Sequence, residues 1–158
     1  MGSQSAGTVW TSMSVDKKRA SRFRLASTAT ISALQAHMDG AGQTTGTQTV
    51  RAVIYSDRSS APYKPLASSA TVTISAGQAP GLVTMSLETP VRLTSGYYWL
   101  GLHSGGSTAV ARYAATSVAK ALRFNTTADA FADGASSPFG STSSDDKLMS
   151  MSAIGVLG

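Results

Sequence analysis

Apolar and polar positions alternate along this chain with a period of two, and no stretch keeps the 3.6-residue period of an amphipathic helix. Ten segments carry the alternation or a β-branched run: Thr8–Met13, Arg19–Leu25, Ile31–Met38, Val50–Tyr55, Ala70–Ile74, Leu82–Leu87, Tyr97–His103, Ala109–Tyr113, Ala121–Asn125 and Met149–Val156. In Ala70–Ile74 the pattern places Val72 and Ile74 inward and Thr71 and Thr73 outward. Turn chemistry separates the segments. Asp39–Gly42 and the residues 76–81 read as turns, 43–49 as a polar loop, and 56–65 as a connection punctuated by Asp57, Pro62 and Pro65. Pro90 confines its neighbourhood to a sheet edge or a strand start. Ser104-Gly105-Gly106-Ser107 carries a hairpin signal.

The most aromatic segment decides the fold class. Tyr97, Trp99 and His103 fall on one face of their strand, and Tyr98, Leu100 and Leu102 on the other. A strand with two apolar or amphipathic faces belongs at the centre of a packed structure. The expected architecture is all-β: one single β-sandwich domain, jelly-roll-like, of about ten strands. Residues 1–7 are expected as a flexible N-terminal segment, with pairing between the N- and C-terminal strands sealing a sheet edge. Residues 126–146 read as one long ordered loop anchored by Phe131 and Phe139.

Composition narrows the function classes. Of the 158 residues only 13% are charged, against roughly 25% in an average soluble domain, and Ser, Thr, Ala and Gly take their place. Neutral surfaces of this kind accompany extracellular sandwiches and virion proteins. There is no cysteine, which removes disulfides and thiolate metal sites. No segment approaches the roughly 18 apolar residues of a membrane-spanning helix, and the first residues lack the basic and apolar regions of a signal peptide. The net charge of +5 is uneven. Lys17, Lys18, Arg19, Arg22 and Arg24 cluster on one segment, either as a basic docking strand for an acidic partner or as a solvated strand face that discourages edge pairing. Nucleic acid is not the expected partner, since no aromatics interleave with the cluster.

Candidate chemistry is sparse. Asp145 and Asp146 are adjacent and face opposite ways on a strand, which suits no shared acid–base site. Asp129, Asp133 and Asp145 could supply oxygen ligands to calcium, but no EF-hand-like or Gly/Asp repeat accompanies them; no cofactor is expected. His37 and His103 are the only histidines and read as strand residues. Neither a Gly-x-Ser-x-Gly elbow nor a phosphate-binding loop is present, so the expectation is a protein that is not an enzyme. Among the aromatics, Trp10 and Trp99 read as core. Tyr63, flanked by Pro62 and Lys64 with Arg58 nearby, reads as the most exposed, so Arg58, Tyr63, Lys64 and Tyr113 are the candidate glycan or partner contacts.

Four segments in order carry a resemblance: Lys18–Phe23 (KRASRF), Val50–Asp57 (VRAVIYSD), Leu93–Gly105 (LTSGYYWLGLHSG) and Ser137–Gly140 (SPFG). Their order and spacing resemble a β-sandwich module of actinobacterial secreted proteins and of minor tail or head-surface proteins of actinobacterial phages. The likeness runs from about residue 7 to the C-terminus. It departs from the module at Val110–Ala114, where an acidic residue is usual and Ala114 stands instead. The resemblance implies a jelly-roll-like fold and a surface-display or adhesive role, and brings no catalytic residues. From it follows the functional expectation: a non-enzymatic phage virion protein decorating the capsid or tail surface. Its partners would be the major capsid or tail protein, further copies of itself, and host surface glycans, with no nucleic acid or membrane. The alternative is a carbohydrate-binding module of a secreted bacterial protein.

Overall fold

A computed structural model describes all residues 1–158. Thirteen strands follow in order: β1 (Val9–Ser12), β2 (Lys17–Leu25), β3 (Ala29–Asp39), β4 (Thr47–Arg58), β5 (Ala61–Ser68), β6 (Val72–Ser75), β7 (Gly81–Leu93), β8 (Gly96–Ser104), β9 (Arg112–Thr116), β10 (Leu122–Asn125), β11 (Thr142–Asp145), β12 (Leu148–Met149) and β13 (Met151–Leu157). They build two antiparallel sheets. One holds six strands along the path β1-β9-β3-β13, with β7 and β12 joined to it; the other holds seven along β11-β10-β2-β8-β4-β5, with β6 joined to β4. From β1 to β4 and from β7 to β10, each strand lies in the sheet opposite its predecessor. The expected sandwich is what the chain forms, with more strands than the ten expected.

Between the sheets lies a core that includes Leu34, Ala36 and Met38 of β3, Val50, Ala52 and Ile54 of β4, Leu100 and Leu102 of β8, and Tyr113 and Ala115 of β9. β8 sits between β2 and β4, paired along its whole length with β2. Its central position is the one its sequence implied. One polar side chain inside the sandwich is fully bonded. Buried Gln48 donates to the Met13 carbonyl at 2.8 Å and accepts the Ala111 amide at 2.9 Å, linking the two sheets across the core.

Several sequence expectations are corrected. Residues 43–49 do not stay a loop to their end, because β4 begins at Thr47, where Gln48 finds its buried partners. The 56–65 connection is a hairpin: β4 continues to Arg58 and β5 contains both Pro62 and Pro65. Prolines are tolerated there because β5 closes the path of its sheet. Pro90 lies inside the 13-residue β7, and the expectation of a sheet edge holds there, because β7 pairs with no strand but β3. Ser104–Ser107 is no hairpin, because β8 and β9 lie in different sheets; the glycines let the chain turn across the sandwich instead. Residues 1–3 are not free, since Ser3 N–H donates to the Met151 carbonyl and Ala153 N–H to the Met1 carbonyl, at 2.6 and 2.9 Å. The N-terminal residues thus cover part of the β13 edge through a Gly2–Ser152 bridge, but the expected pairing of the terminal strands does not form, because β1 pairs with β9.

Candidate functional site

Strand alternation disperses the basic cluster. On β2, Lys18, Ala20 and Arg22 face outward from the sandwich, while Arg19 and Ser21 face inward. Lys18 is 1% exposed and Arg19 6%, so the continuous basic docking strand is not present as a surface. Of the five only Arg24 is exposed, with Lys17 and Arg22 half-buried.

The outer face of the seven-stranded sheet is ordered in rows across β2, β8 and β4. Lys18, His103 and Arg51 stand side by side, then Ala20, Gly101 and Val53, then Arg22, Trp99 and Tyr55. The first row places two cations beside an imidazole, an arrangement that repels unless it is neutralised. The loop between β10 and β11 supplies the neutralisation. Asp129 meets Lys18 Nζ at 2.8 Å, and its main-chain carbonyl accepts His103 Nε2–H at 2.8 Å. That bond fixes the tautomer and leaves Nδ1 without a partner. Burial is the main cause that holds the His103 pKa below the ordinary 6.5, so the ring is neutral. Burial alone would raise the Asp129 pKa; the Lys18 bond, the Ser136 amide and the Lys18 charge outweigh it and hold the carboxyl below its ordinary value. Arg51 donates to the Phe131 carbonyl and lies 3.9 Å from the centre of its ring.

The second row is small so that aromatics can cover it. Tyr55 packs edge-on against Phe139 with centroids 5.0 Å apart, forming a second core with Ala20, Val53 and Trp99. A Cβ on Gly101 would stand 2.9 Å from the Tyr55 ring and 2.8 Å from the Arg19 carbonyl, so only glycine fits. Burial, and then the Asp129 charge, push the Tyr55 phenol far above its usual range. The expected anchors Phe131 and Phe139 do hold the loop. The loop ends at β11, earlier than residue 146. His103, Lys18 and Asp129 together resemble a catalytic constellation in their residue types, but His103 is fully buried and its Nε2–H is held by the Asp129 carbonyl.

Beyond the loop, Asp57 gathers the third row. It accepts Trp99 Nε1–H at 2.7 Å and Arg22 at 3.0 Å, and Arg22 lies 4.0 Å from the centre of the Tyr97 ring. Tyr97 is 49% exposed and is the most open tyrosine, in place of the expected Tyr63. Tyr63 is half-buried, with Arg58 at 4.7 Å and Lys64 at 5.5 Å from its ring centre. Arg58, Tyr63 and Lys64 therefore do meet, as a self-contained cation–aromatic group. Tyr113 is 3% exposed, so it is not the open stacking platform that was expected.

Tyr113 joins a different site. Where β1 and β9 face β2 and β10, the sandwich opens into a cleft of about 200 Å³ lined by Thr11, Ser14, Lys17, Arg19, Tyr113, Leu122, Phe124 and Asp145. The Arg19 guanidinium lies 5.5 Å from the Tyr113 ring centre and donates to the Ser12 carbonyl at 3.4 Å. Asp145 is bonded to Lys147 at 2.6 Å. Sequence reasoning named Lys17, Arg19 and Tyr113 separately; only the pairing of β1 with β9 and of β10 with β2 brings them together. The missed residues are Asp57 and Phe124, for which alternation on the strands was the available signal. Asp129, Asp133 and Asp145 do not converge, and no group of three metal-ligating side chains forms.

Comparison with family models, with curated proteins and with solved structures finds no match to this chain.

Proposed function

We propose that this chain is a non-enzymatic attachment domain of a phage virion surface, docked on the capsid or tail and engaging host surface glycans. The observation that carries the binding half is the inter-sheet cleft. It combines an apolar wall (Leu122, Phe124), hydroxyls (Thr11, Ser14) and cations (Lys17, Arg19), the mixture that a sugar ring with its C–H face and hydroxyl rim requires. At about 200 Å³ it is smaller than the roughly 300 Å³ at which pockets for drug-sized ligands begin. That size suits one ring at a time, with affinity built by repeated copies. The virion half rests on the motif resemblance. On β13, Val156 and Leu157 are 70% and 79% exposed, an apolar strand end to which a further copy would pair.

The test is a sedimentation assay with purified protein. Retention on host cell-wall glycan and on particles that lack the protein is expected, with the glycan retention lost in Lys17→Glu at unchanged Tm. Retention on glycan without any binding to particles would favour the carbohydrate-binding module of a secreted protein. Binding to neither would overturn the proposal.

A further inference from the structure

The one other fully buried cation, Lys18, has a carboxylate, Asp129, at 2.8 Å. Among the half-buried arginines, Arg22 and Arg112 have Asp57 and Asp39 at 3.0 and 2.6 Å, while Arg51 and Arg123 have none. Arg19 has none, although it is 6% exposed and no acidic side chain lies within ion-pairing distance of it. Its neighbours are the Ser12 carbonyl and the Tyr113 side chain. Leaving a buried guanidinium uncompensated is costly, and here the side chain lines an open cleft rather than closed core.

The surroundings favour an incoming negative charge. Lys17 stands on the same wall, and its ammonium group has only the Asn125 carbonyl, at 3.4 Å. The one acid in the lining, Asp145, is engaged by Lys147 and by the Asp146 amide, at 2.6 and 2.8 Å. The remaining lining pairs an apolar wall of Leu122 and Phe124 with the hydroxyls of Thr11 and Ser14. A planar guanidinium binds a carboxylate with two parallel hydrogen bonds. We infer that the cleft is a site for an acidic sugar of the hexuronic acid class, its carboxylate on Arg19 and Lys17 and its ring between Phe124 and the hydroxyls. This inference rests on the reading of the cleft as a glycan site and names the sugar class it takes.

The test is an NMR titration of the intact protein, observing the Arg19 side-chain N–H and the Phe124 ring signals. Probes are glucuronic acid, glucose and a short glutamate peptide. Glucuronic acid is expected to shift both signals, with glucose weaker by roughly tenfold to a hundredfold, the range expected for loss of a charge-assisted contact. Lys17→Gln, at the cleft rim, is expected to weaken glucuronic acid alone. It keeps the result readable should Arg19→Gln fail to fold. Equal binding of glucose and glucuronic acid would overturn the acidic-sugar inference while leaving the glycan site standing. Binding of the glutamate peptide alone would overturn it in favour of a protein partner. No shift with any probe would overturn both the inference and the glycan site.

Discussion

Replacing Asp129 with asparagine should unfasten the long loop. The change keeps shape and leaves the Lys18 ammonium, 1% exposed, without a counter-charge beside Arg51 and His103. Removing one partner of a buried pair costs about 3–5 kcal/mol. Asp129 itself is 11% exposed, and water can reach Lys18 once the loop loosens, so the lower end applies, about 3 kcal/mol. For a chain of this size that corresponds to roughly 6–12 °C in Tm. Replacing Lys18 with methionine removes the charge together with the need for a partner. In Lys18→Met/Asp129→Asn the loss should be smaller than in Asp129→Asn alone, because no stranded cation remains. Thermal unfolding of the four proteins by circular dichroism measures the coupling. A Tm change below about 2 °C in Asp129→Asn, or losses that simply add in the double variant, would refute the ion pair as the fastening.

His103 predicts a pH dependence. Its ordinary pKa is 6.5 and the folded value is lower, so below pH 6.5 the unfolded state binds the additional proton and stability falls until the folded pKa is passed. His103→Gln should flatten urea-derived stability across that window. It should leave intact the loss below pH 3.8, which comes from Asp39, Asp129 and Asp145, whose folded values are depressed; an unchanged profile near pH 6 would refute this. Gly101→Ala should destabilise by about 1–3 kcal/mol through its contact with Tyr55 and the Arg19 carbonyl, read as a shifted urea midpoint at constant m-value. Asp57→Ala frees Trp99 Nε1–H and Arg22; tryptophan fluorescence should change and Tm should fall by several degrees, and an unaltered spectrum would count against the bond.

Strand identity was legible where alternation was clean, as in β3, β6 and β8. The extension of β4 was hidden because Thr47, Gln48 and Thr49 carry no apolar signal, and Gln48 is buried only because Met13 and Ala111 supply partners from afar. Pro62 and Pro65 masked β5 for the same kind of reason: an edge strand tolerates what a central one excludes. The basic cluster was visible as composition, but its division into a buried Lys18, a cleft-lining Arg19 and an exposed Arg24 follows from the pleat and from which sheet lies opposite. The cleft joins residues far apart in the chain, and local pattern carries no trace of such a meeting.

The fastening of the 126–141 loop bears on the order of folding. The Asn125 side chain caps the Lys18 amide across 107 residues, Phe131 N–H reaches the Asp16 carboxylate across 115, and Lys18 reaches Ser136 across 118. Strand pairings such as Met151 with Ala36 span equal separations, so the order follows from dependence instead. The loop docks on a face that β2, β8 and β4 must already present, and its contacts are expected to form after that sheet. Interactions made after the rate-limiting barrier govern how quickly the native state comes apart, and leave the speed of assembly nearly untouched. Strengthening this loop would therefore lengthen the lifetime of the folded protein without helping it to fold.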